Sequence, residues 1–169
     1  ATAAGAMGYT LKLGLESLRA KGLGSLALRS LITTIMVFGF FEVLPHYPVG
    51  VSEVHFILGS TLFLIFGAAP AAFGLALGLL LQGLFFAPFD LPQYGINLTT
   101  LLVPLFALQV LAAKIIKPNT AYVDLSYAQA LALSTLYQGG VVSWVAFWAF
   151  YGAGFGAANV SSILAFGGA

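Results

Sequence analysis

The chain has 169 residues, of which 60% are hydrophobic and only 7% are charged. Soluble domains usually contain about 25% charged residues, so this composition excludes a soluble globular protein and predicts an integral membrane protein. Six Lys and Arg residues stand against five Asp and Glu residues. The charge is nearly balanced and forms no basic tract, which excludes a nucleic-acid partner. The lack of cysteine excludes disulfides and thiolate metal sites.

The apolar runs are continuous and too long for the alternating strands of a membrane barrel, so they predict helices. In chain order, we expect spans at about residues 2–18, 28–44, 54–86, 97–116 and 126–151, and a partial span from about residue 158. The run 54–86 is too long for one crossing. We expect it to divide near Pro70, where proline removes a backbone donor.

The predicted fold class is therefore all-α, a polytopic membrane helix bundle of about six transmembrane helices plus a partial one. We expect a single transmembrane domain over residues 1–169. The chain begins at Ala1 and ends with SSILAFGGA, in both cases inside an apolar pattern. No cleavable signal is visible, and both ends are expected to be cut from a longer protein.

The positive charges predict the orientation of the bundle. All Lys and Arg residues fall in or beside two connections, those after the first and the fifth predicted spans (Lys12, Arg19, Lys21, Arg29, Lys114 and Lys117). The positive-inside rule places this face in the cytoplasm. The amino terminus and the connections after the second and fourth spans are then outside.

The polar residues concentrate at that outer face. The stretch PHYPVGVSEVHF, residues 45–56, contains both histidines of the chain, His46 and His55, together with Glu53. The other outer connection, APFDLPQYGIN, supplies Asp90 and Asn97. Polar groups near a membrane boundary usually face the interior of the bundle or a water-filled cavity, so we expect these residues to meet there.

Ser52 is a plausible N-cap, with Glu53 in the first turn of the third helix and His55 one turn in. A neutral imidazole in that position can bind a divalent transition metal. The alternative is a histidine hydrogen-bonded to the backbone or to a carboxylate. One histidine cannot hold a metal, so further ligands must come from Asp90, Asn97, Glu53 or residues absent from this chain, with His46 as a second candidate.

Other features have simpler interpretations. Gln82 fits a helix-packing residue, and Gly74 and Gly78 form a Gly-x-x-x-Gly step typical of closely packed helices. The run WVAFWAFY, residues 144–151, fits an interfacial aromatic belt. No catalytic motif or phosphate-binding loop is visible, so we expect no enzymatic activity and no organic cofactor. A haem or chlorin held by His46 or His55 remains a minor alternative.

Several residues together resemble one transport family. A Pro-x-Gly-x-Ser turn over residues 48–52 precedes His55, and a Leu-Leu-Gln-x-Leu-x-Phe run covers residues 80–86. A Gly-x-Asn sequence, Gly95 to Asn97, opens the next helix. Over residues 45–112 this pattern resembles the CbiM/NikM family, the membrane substrate-binding subunits of energy-coupling-factor ABC transporters for cobalt and nickel.

The resemblance implies a metal site on the outer side. In the family, Co²⁺ or Ni²⁺ is bound by the amino group and histidine of a Met-His terminus and by the histidine after the Ser turn, to which His55 corresponds. Asn97 corresponds to an asparagine lining that pocket. The chain departs from the pattern in two ways: it lacks a Met-His start, and the segment from Gly50 to His55 is one residue longer.

The predicted function is therefore the membrane subunit of a cobalt or nickel uptake transporter. Its metal-site candidates are His55, Asn97, His46 and Asp90, with Co²⁺ or Ni²⁺ as the transported substrate. The implied partners are a coupling transmembrane subunit and ATPase subunits, and the implied location is the bacterial cytoplasmic (inner) membrane. The departures leave one alternative open, a non-transporting accessory subunit packed against a larger membrane complex.

Overall fold

The computed structural model describes residues 1–117 and 120–169. Within these residues the elements are, in order, α1 (Thr2–Lys21), α2 (Leu23–Glu42), β1 (Tyr47–Val49), β2 (Ser52–Val54), α3 (Gly59–Phe66), α4 (Ala68–Phe85), α5 (Tyr94–Ile115), α6 (Tyr127–Ala153) and α7 (Ala157–Gly168). Short 3₁₀ helices at Pro88–Gln93 and Tyr122–Asp124 precede α5 and α6. The described part of the chain is all-α except for one small hairpin, as the composition predicted.

Four described segments are long and apolar enough to cross a bilayer: Leu23–Glu42, Ala68–Phe85, Pro88–Ile115 and Tyr127–Ala153. The predicted count of six is therefore not confirmed. Helix α1 contains four charged residues, and α3 has only eight residues. A helix of eight residues is about 12 Å long, whereas the hydrocarbon core is about 30 Å thick, so α3 cannot cross it alone.

The predicted third span is wrong at its start, because residues 54–58 are not helical. Ser52 does not cap a helix, and Glu53 does not lie in a first helical turn, because both belong to β2. His55 follows that strand, and helix α3 begins only at Gly59. The reason is the two-residue turn at Gly50 and Val51, which pairs Val49 with Ser52 in an antiparallel hairpin. Gly50 has φ +59°, a conformation that hairpin turns of this length require and glycine readily adopts.

The predicted break at Pro70 lies three residues earlier, at Gly67. Gly67 has φ +92° and separates α3 from α4. Pro70 instead lies in the first turn of α4, where the backbone N–H that proline lacks would have no helical acceptor. The glycine, not the proline, therefore turns the chain.

Helix α4 lies at the centre of the bundle, in contact with α1, α2, α3 and α5. Its Gly-x-x-x-Gly step faces α2: Gly74 lies against Thr33, and Gly78 lies against Val37. Thr33 Oγ1 donates a hydrogen bond of 2.7 Å to the Pro70 carbonyl. The two small residues thus permit the close approach that the sequence predicted.

The outer surface of the bundle is apolar. On α2, for example, Leu28, Leu31 and Ile35 are all more than half exposed. A soluble monomer rarely exposes such continuous apolar surface, so these faces are suited to lipid.

The helix ends that carry positive charge lie at one end of the bundle. Arg29, near the start of α2, donates from Nη1 to the carbonyl of Phe66 at the end of α3 (2.6 Å) and approaches Ser17 of α1. Helices α1 and α5 run in the same direction, since Gly95 lies beside Ala3 and the Tyr9 ring packs on that of Phe106. The basic last turns of α1 and α5 therefore share one end.

The contact between α4 and α2 makes a testable prediction. A Cβ on Gly78 would lie 2.6 Å from Val37 Cγ1, so Gly78→Ala should destabilise the fold by about 1–3 kcal/mol through overpacking. The measurement is the melting temperature of the purified protein in detergent. Gly139→Ala on α6, where a Cβ meets nothing within 4 Å, is the control and should be neutral or slightly stabilising. Equal melting temperatures for both variants would contradict this packing.

Arg29 makes a second prediction. Its charged hydrogen bond to Phe66 stabilises the last turn of the short helix α3, so Arg29→Gln should cost about 1.5–3 kcal/mol of stability, measured by the same melting experiment. Lys12→Gln is the control, because the exposed Lys12 pairs with Glu16 at 3.8 Å and lies 5.6 Å from the centroid of the Tyr9 ring. Loss of these weak surface contacts should change stability by less than about 1 kcal/mol. A larger loss for Lys12→Gln than for Arg29→Gln would refute this assignment.

Candidate metal site in an end cavity

A cavity of about 900 Å³ lies at the end of the bundle where α5 begins. Its walls come from the hairpin, the segment after β2, the start of α5, the second half of α6 and the end of α7. This is the end opposite the basic helix termini. The two polar connections that were expected to meet, residues 45–56 and 87–97, both contribute to its walls.

Three of the four candidate ligands line this cavity: His55, Asp90 and Asn97. Asp90 lies in the 3₁₀ helix before α5, close enough to His55 and Glu53 for their charges to interact. Asn97 lies one turn into α5. The fourth candidate, His46, is exposed and does not line the cavity.

Two aromatic rings pack against His55. Phe41 packs edge-on at 4.8 Å between ring centroids, and His46 stacks at 5.2 Å with only 10° between the ring planes. The lone pairs of imidazole lie in the ring plane, so two stacked rings do not direct their nitrogens at one ion. His46 would have to rotate to join His55 as a ligand.

The electrostatics of His55 favour a neutral ring. Burial lowers the pKa of His55, and the negative charge of Glu53 offsets only part of that effect. Nε2 of His55 lies 3.5 Å from a Glu53 carboxylate oxygen but forms no hydrogen bond with any described residue. A neutral imidazole with a free nitrogen is the form that binds a transition metal.

The backbone that carries His55 is not helical. Residues 55–58 connect β2 to α3, and the N–H of Ile57 donates to the carbonyl of His55 in a tight turn (2.9 Å). Gln138 on α6 donates from Nε2 to the carbonyl of Ile57 (2.8 Å). This bond fixes the segment against α6, so Gln138 positions the backbone beside the candidate ligand.

Sequence reasoning missed two residues of this cavity. Gln138 is not among the predicted site residues, although an isolated amide in an apolar helix is a signal of a polar partner. Trp148 was assigned to an interfacial belt, but it lies in the cavity wall, and its indole N–H is buried without a partner among the described residues. Phe147 and Tyr151, which are more exposed, fit the belt better. Gln82, expected to pack between helices, is buried and also lines the cavity.

The described residues do not form a complete metal cage. Within residues 1–117 and 120–169, no group of three His, Asp or Glu side chains is close enough to hold an ion. The site therefore offers one imidazole, nearby carboxylates and several amides rather than a closed set of strong ligands.

Comparison with known proteins identifies the family. No curated protein sequence and no solved structure matches the chain significantly. A family model described as "Cobalt uptake substrate-specific transmembrane region" matches residues 1–167, nearly the whole chain. It describes a transport family rather than an enzyme family. With its bundle of apolar helices, the chain belongs to the CbiM family of membrane components for cobalt uptake.

Proposed function

We propose that this chain is the substrate-binding membrane subunit of an energy-coupling-factor transporter that takes up Co²⁺ or Ni²⁺. The observation that carries this proposal is the end cavity, in which His55, Asp90 and Asn97 come together from separate segments in a chain of the cobalt-uptake family. The proposed domain is a single transmembrane unit covering residues 1–169.

The chemistry of the cavity suits a transition metal as substrate. Neutral imidazole is a good ligand for cobalt, nickel, copper and zinc, whereas carboxylate and amide oxygens alone favour magnesium or calcium. We assign His55 as the main protein ligand, Asp90 as a charge-neutralising ligand and Asn97 as an oxygen donor. His46, stacked on His55, is a further ligand if its ring rotates. The donor types suit Co²⁺ and Ni²⁺ equally.

The distribution of charge supports an outward-facing site. The last turns of α1 and α5 carry Arg19, Lys21 and Lys114 at the end opposite the cavity. By the positive-inside rule that end is cytoplasmic. The amino terminus and the cavity then face outward, in the cytoplasmic (inner) membrane of a bacterium.

Energy for uptake must come from partners. The sequence shows no phosphate-binding loop, so ATP hydrolysis is assigned to separate ATPase subunits and a coupling membrane subunit. Purification from native membranes tests this assignment, with co-elution of ATPases as the expected result. Stoichiometric co-elution with an unrelated complex would favour the accessory role instead.

Metal binding is the direct test of the site. Full-length protein with its native terminus should bind Co²⁺ in calorimetry, and His55→Ala should weaken binding at least tenfold because it removes the nitrogen ligand. Asn97→Ala should have a smaller effect. Lys114→Gln, far from the cavity, is the control and should leave affinity unchanged. If the wild-type full-length protein bound neither Co²⁺ nor Ni²⁺, the uptake function would be refuted.

Gln138 makes a separate prediction. Gln138→Met removes the hydrogen bond to Ile57, so the segment of His55 should loosen and Co²⁺ affinity should fall by about three- to tenfold, as expected for one hydrogen bond. The control is Gln129→Met: Gln129 at the other end of α6 donates to the Ile115 carbonyl (2.9 Å) and also accepts from Ser126 in the capping box. That control should lose stability without losing affinity. Equal affinity losses in both variants would contradict a positioning role for Gln138.

A further inference from the structure

The elbow between α1 and α2, residues 17–29, concentrates positive charge at the basic end of the bundle. A single residue, Gly22, joins the two helices, so the last turn of α1 lies beside the first turns of α2. The elbow contains three basic residues and no acidic one (Arg19, Lys21 and Arg29). Of the five carboxylates of the chain, three lie at the opposite end of the bundle (Glu42, Glu53 and Asp90). The elbow therefore carries an unbalanced positive charge.

Lys21 and Arg29 lie on neighbouring turns of this elbow. Arg29 Nη2 donates to Ser17 Oγ at 3.4 Å, and Ser17 lies one turn before Lys21 on the same face of α1. Neither basic residue forms an ion pair with any carboxylate that the structure describes. Glu16, the nearest acidic residue in sequence, pairs with Lys12 instead. Two like charges that are held close together repel each other, so an anion at this position would stabilise both.

The guanidinium of Arg29 is held in place and still has donors to offer. Its Nε donates to the Ser25 carbonyl at 3.1 Å, and its Nη1 donates to the Phe66 carbonyl at 2.6 Å. With the bond to Ser17, three of the five N–H groups of the guanidinium are used. All three acceptors are neutral oxygens, and the side chain is only partly buried. A positioned guanidinium with two further N–H groups is well suited to bind a phosphate.

The surface next to the elbow is apolar. Five leucines of the two helices are more than half exposed (Leu11, Leu15, Leu23, Leu28 and Leu31). A soluble anion would make no use of this surface. A phospholipid, in contrast, can place its phosphate at the charged elbow and its acyl chains along the aliphatic side chains. The combination of charge and apolar surface therefore favours an amphiphilic anion.

We propose that the elbow binds the headgroup phosphate of an anionic phospholipid, with Lys21 and Arg29 as its ligands. Basic residues at the ends of transmembrane helices attract anionic lipids, and basic pockets between such helices bind their headgroups. The phospholipid supplies the negative charge that the described residues do not place beside Lys21 and Arg29. This site is separate from metal uptake, because none of the elbow residues lines the end cavity.

The test measures lipid binding to the full-length protein, purified in detergent and freed of lipid. Native mass spectrometry counts the bound molecules of phosphatidylglycerol or of phosphatidylcholine with the same acyl chains, and inorganic phosphate serves as the soluble anion. We expect phosphatidylglycerol to bind at least fivefold more tightly than phosphatidylcholine and inorganic phosphate to bind far more weakly than either. Equal affinities for the two lipids, or equal affinities for phosphatidylglycerol and inorganic phosphate, would overturn the proposal.

Two matched variants test the position of the site. Lys21→Gln removes one basic ligand, so it should weaken phosphatidylglycerol binding about fivefold and leave phosphatidylcholine binding unchanged. Arg19→Gln removes the same charge from the same turn, but Arg19 lies on the opposite face of α1, so it should change either affinity less than twofold. Arg29 is kept because its bond to Phe66 also supports α3. Equal losses in the two variants would indicate attraction to the whole basic end and would overturn a site at the elbow.

The occupant in native membranes is tested separately. Lipids that stay on the protein after mild extraction are identified by mass spectrometry for the wild type and for Lys21→Gln. Anionic phospholipid should be enriched on the wild type and depleted on the variant. The same lipid composition on both would overturn the proposal and would indicate a different occupant, such as an acidic segment of a partner subunit.

Discussion

The site depends on the non-helical segment between β2 and α3, residues 55–58. Backbone groups that leave a helix inside a membrane protein need other partners, because lipid offers none. Here the Ile57 N–H bonds to His55, and the Ile57 carbonyl accepts from Gln138. At the far end of α3, Arg29 satisfies the carbonyl of Phe66. These hydrogen bonds satisfy backbone groups next to His55 and at the end of α3 that no helical partner satisfies.

The interruption also explains the shape of the bundle. Helix α3 has only eight residues. A longer α3, beginning directly after the hairpin, would fill part of the space at the end of the bundle where α5 begins. The centre of the bundle compensates by close packing, in which Gly74 and Gly78 bring α4 against α2. The Gly50 backbone lies directly against the Ser162 carbonyl of α7, so the hairpin is fixed from that side. The hairpin and the closely packed helices thus border the open end.

The cavity combines charged and amide side chains with apolar walls. Burial lowers the pKa of His55, and its Nε2 has no hydrogen-bond partner among the described residues. The stacked His46 supports His55 through ring contact in this arrangement.

Much of the fold follows from the sequence alone. The composition and the length of the apolar runs predict a membrane helix bundle. Helices α2, α5, α6 and α7 lie within a few residues of their predicted positions, and the largest difference is at α2, which begins five residues early. The start of α6 is within one residue because Ser126 and Gln129 form a capping box, which is a local signal. The grouping of His55, Asp90 and Asn97 was also predictable. Successive membrane spans run in opposite directions, so the connections after the second and fourth predicted spans lie at the same face of the bundle.

Tertiary structure decided the rest. Ser52 and Glu53 look like a helix start locally, but hairpin pairing set by Gly50 overrides that preference, since β-structure depends on partners that a local pattern does not show. The sequence pattern predicts that Trp148 belongs to an interfacial aromatic belt, and only the packing of α6 places it in the cavity wall. Gln138 and Ile57 are 81 residues apart, so their bond has no signature in sequence. Local chemistry therefore determined the class and the helices, and long-range contacts determined which side chains form the site.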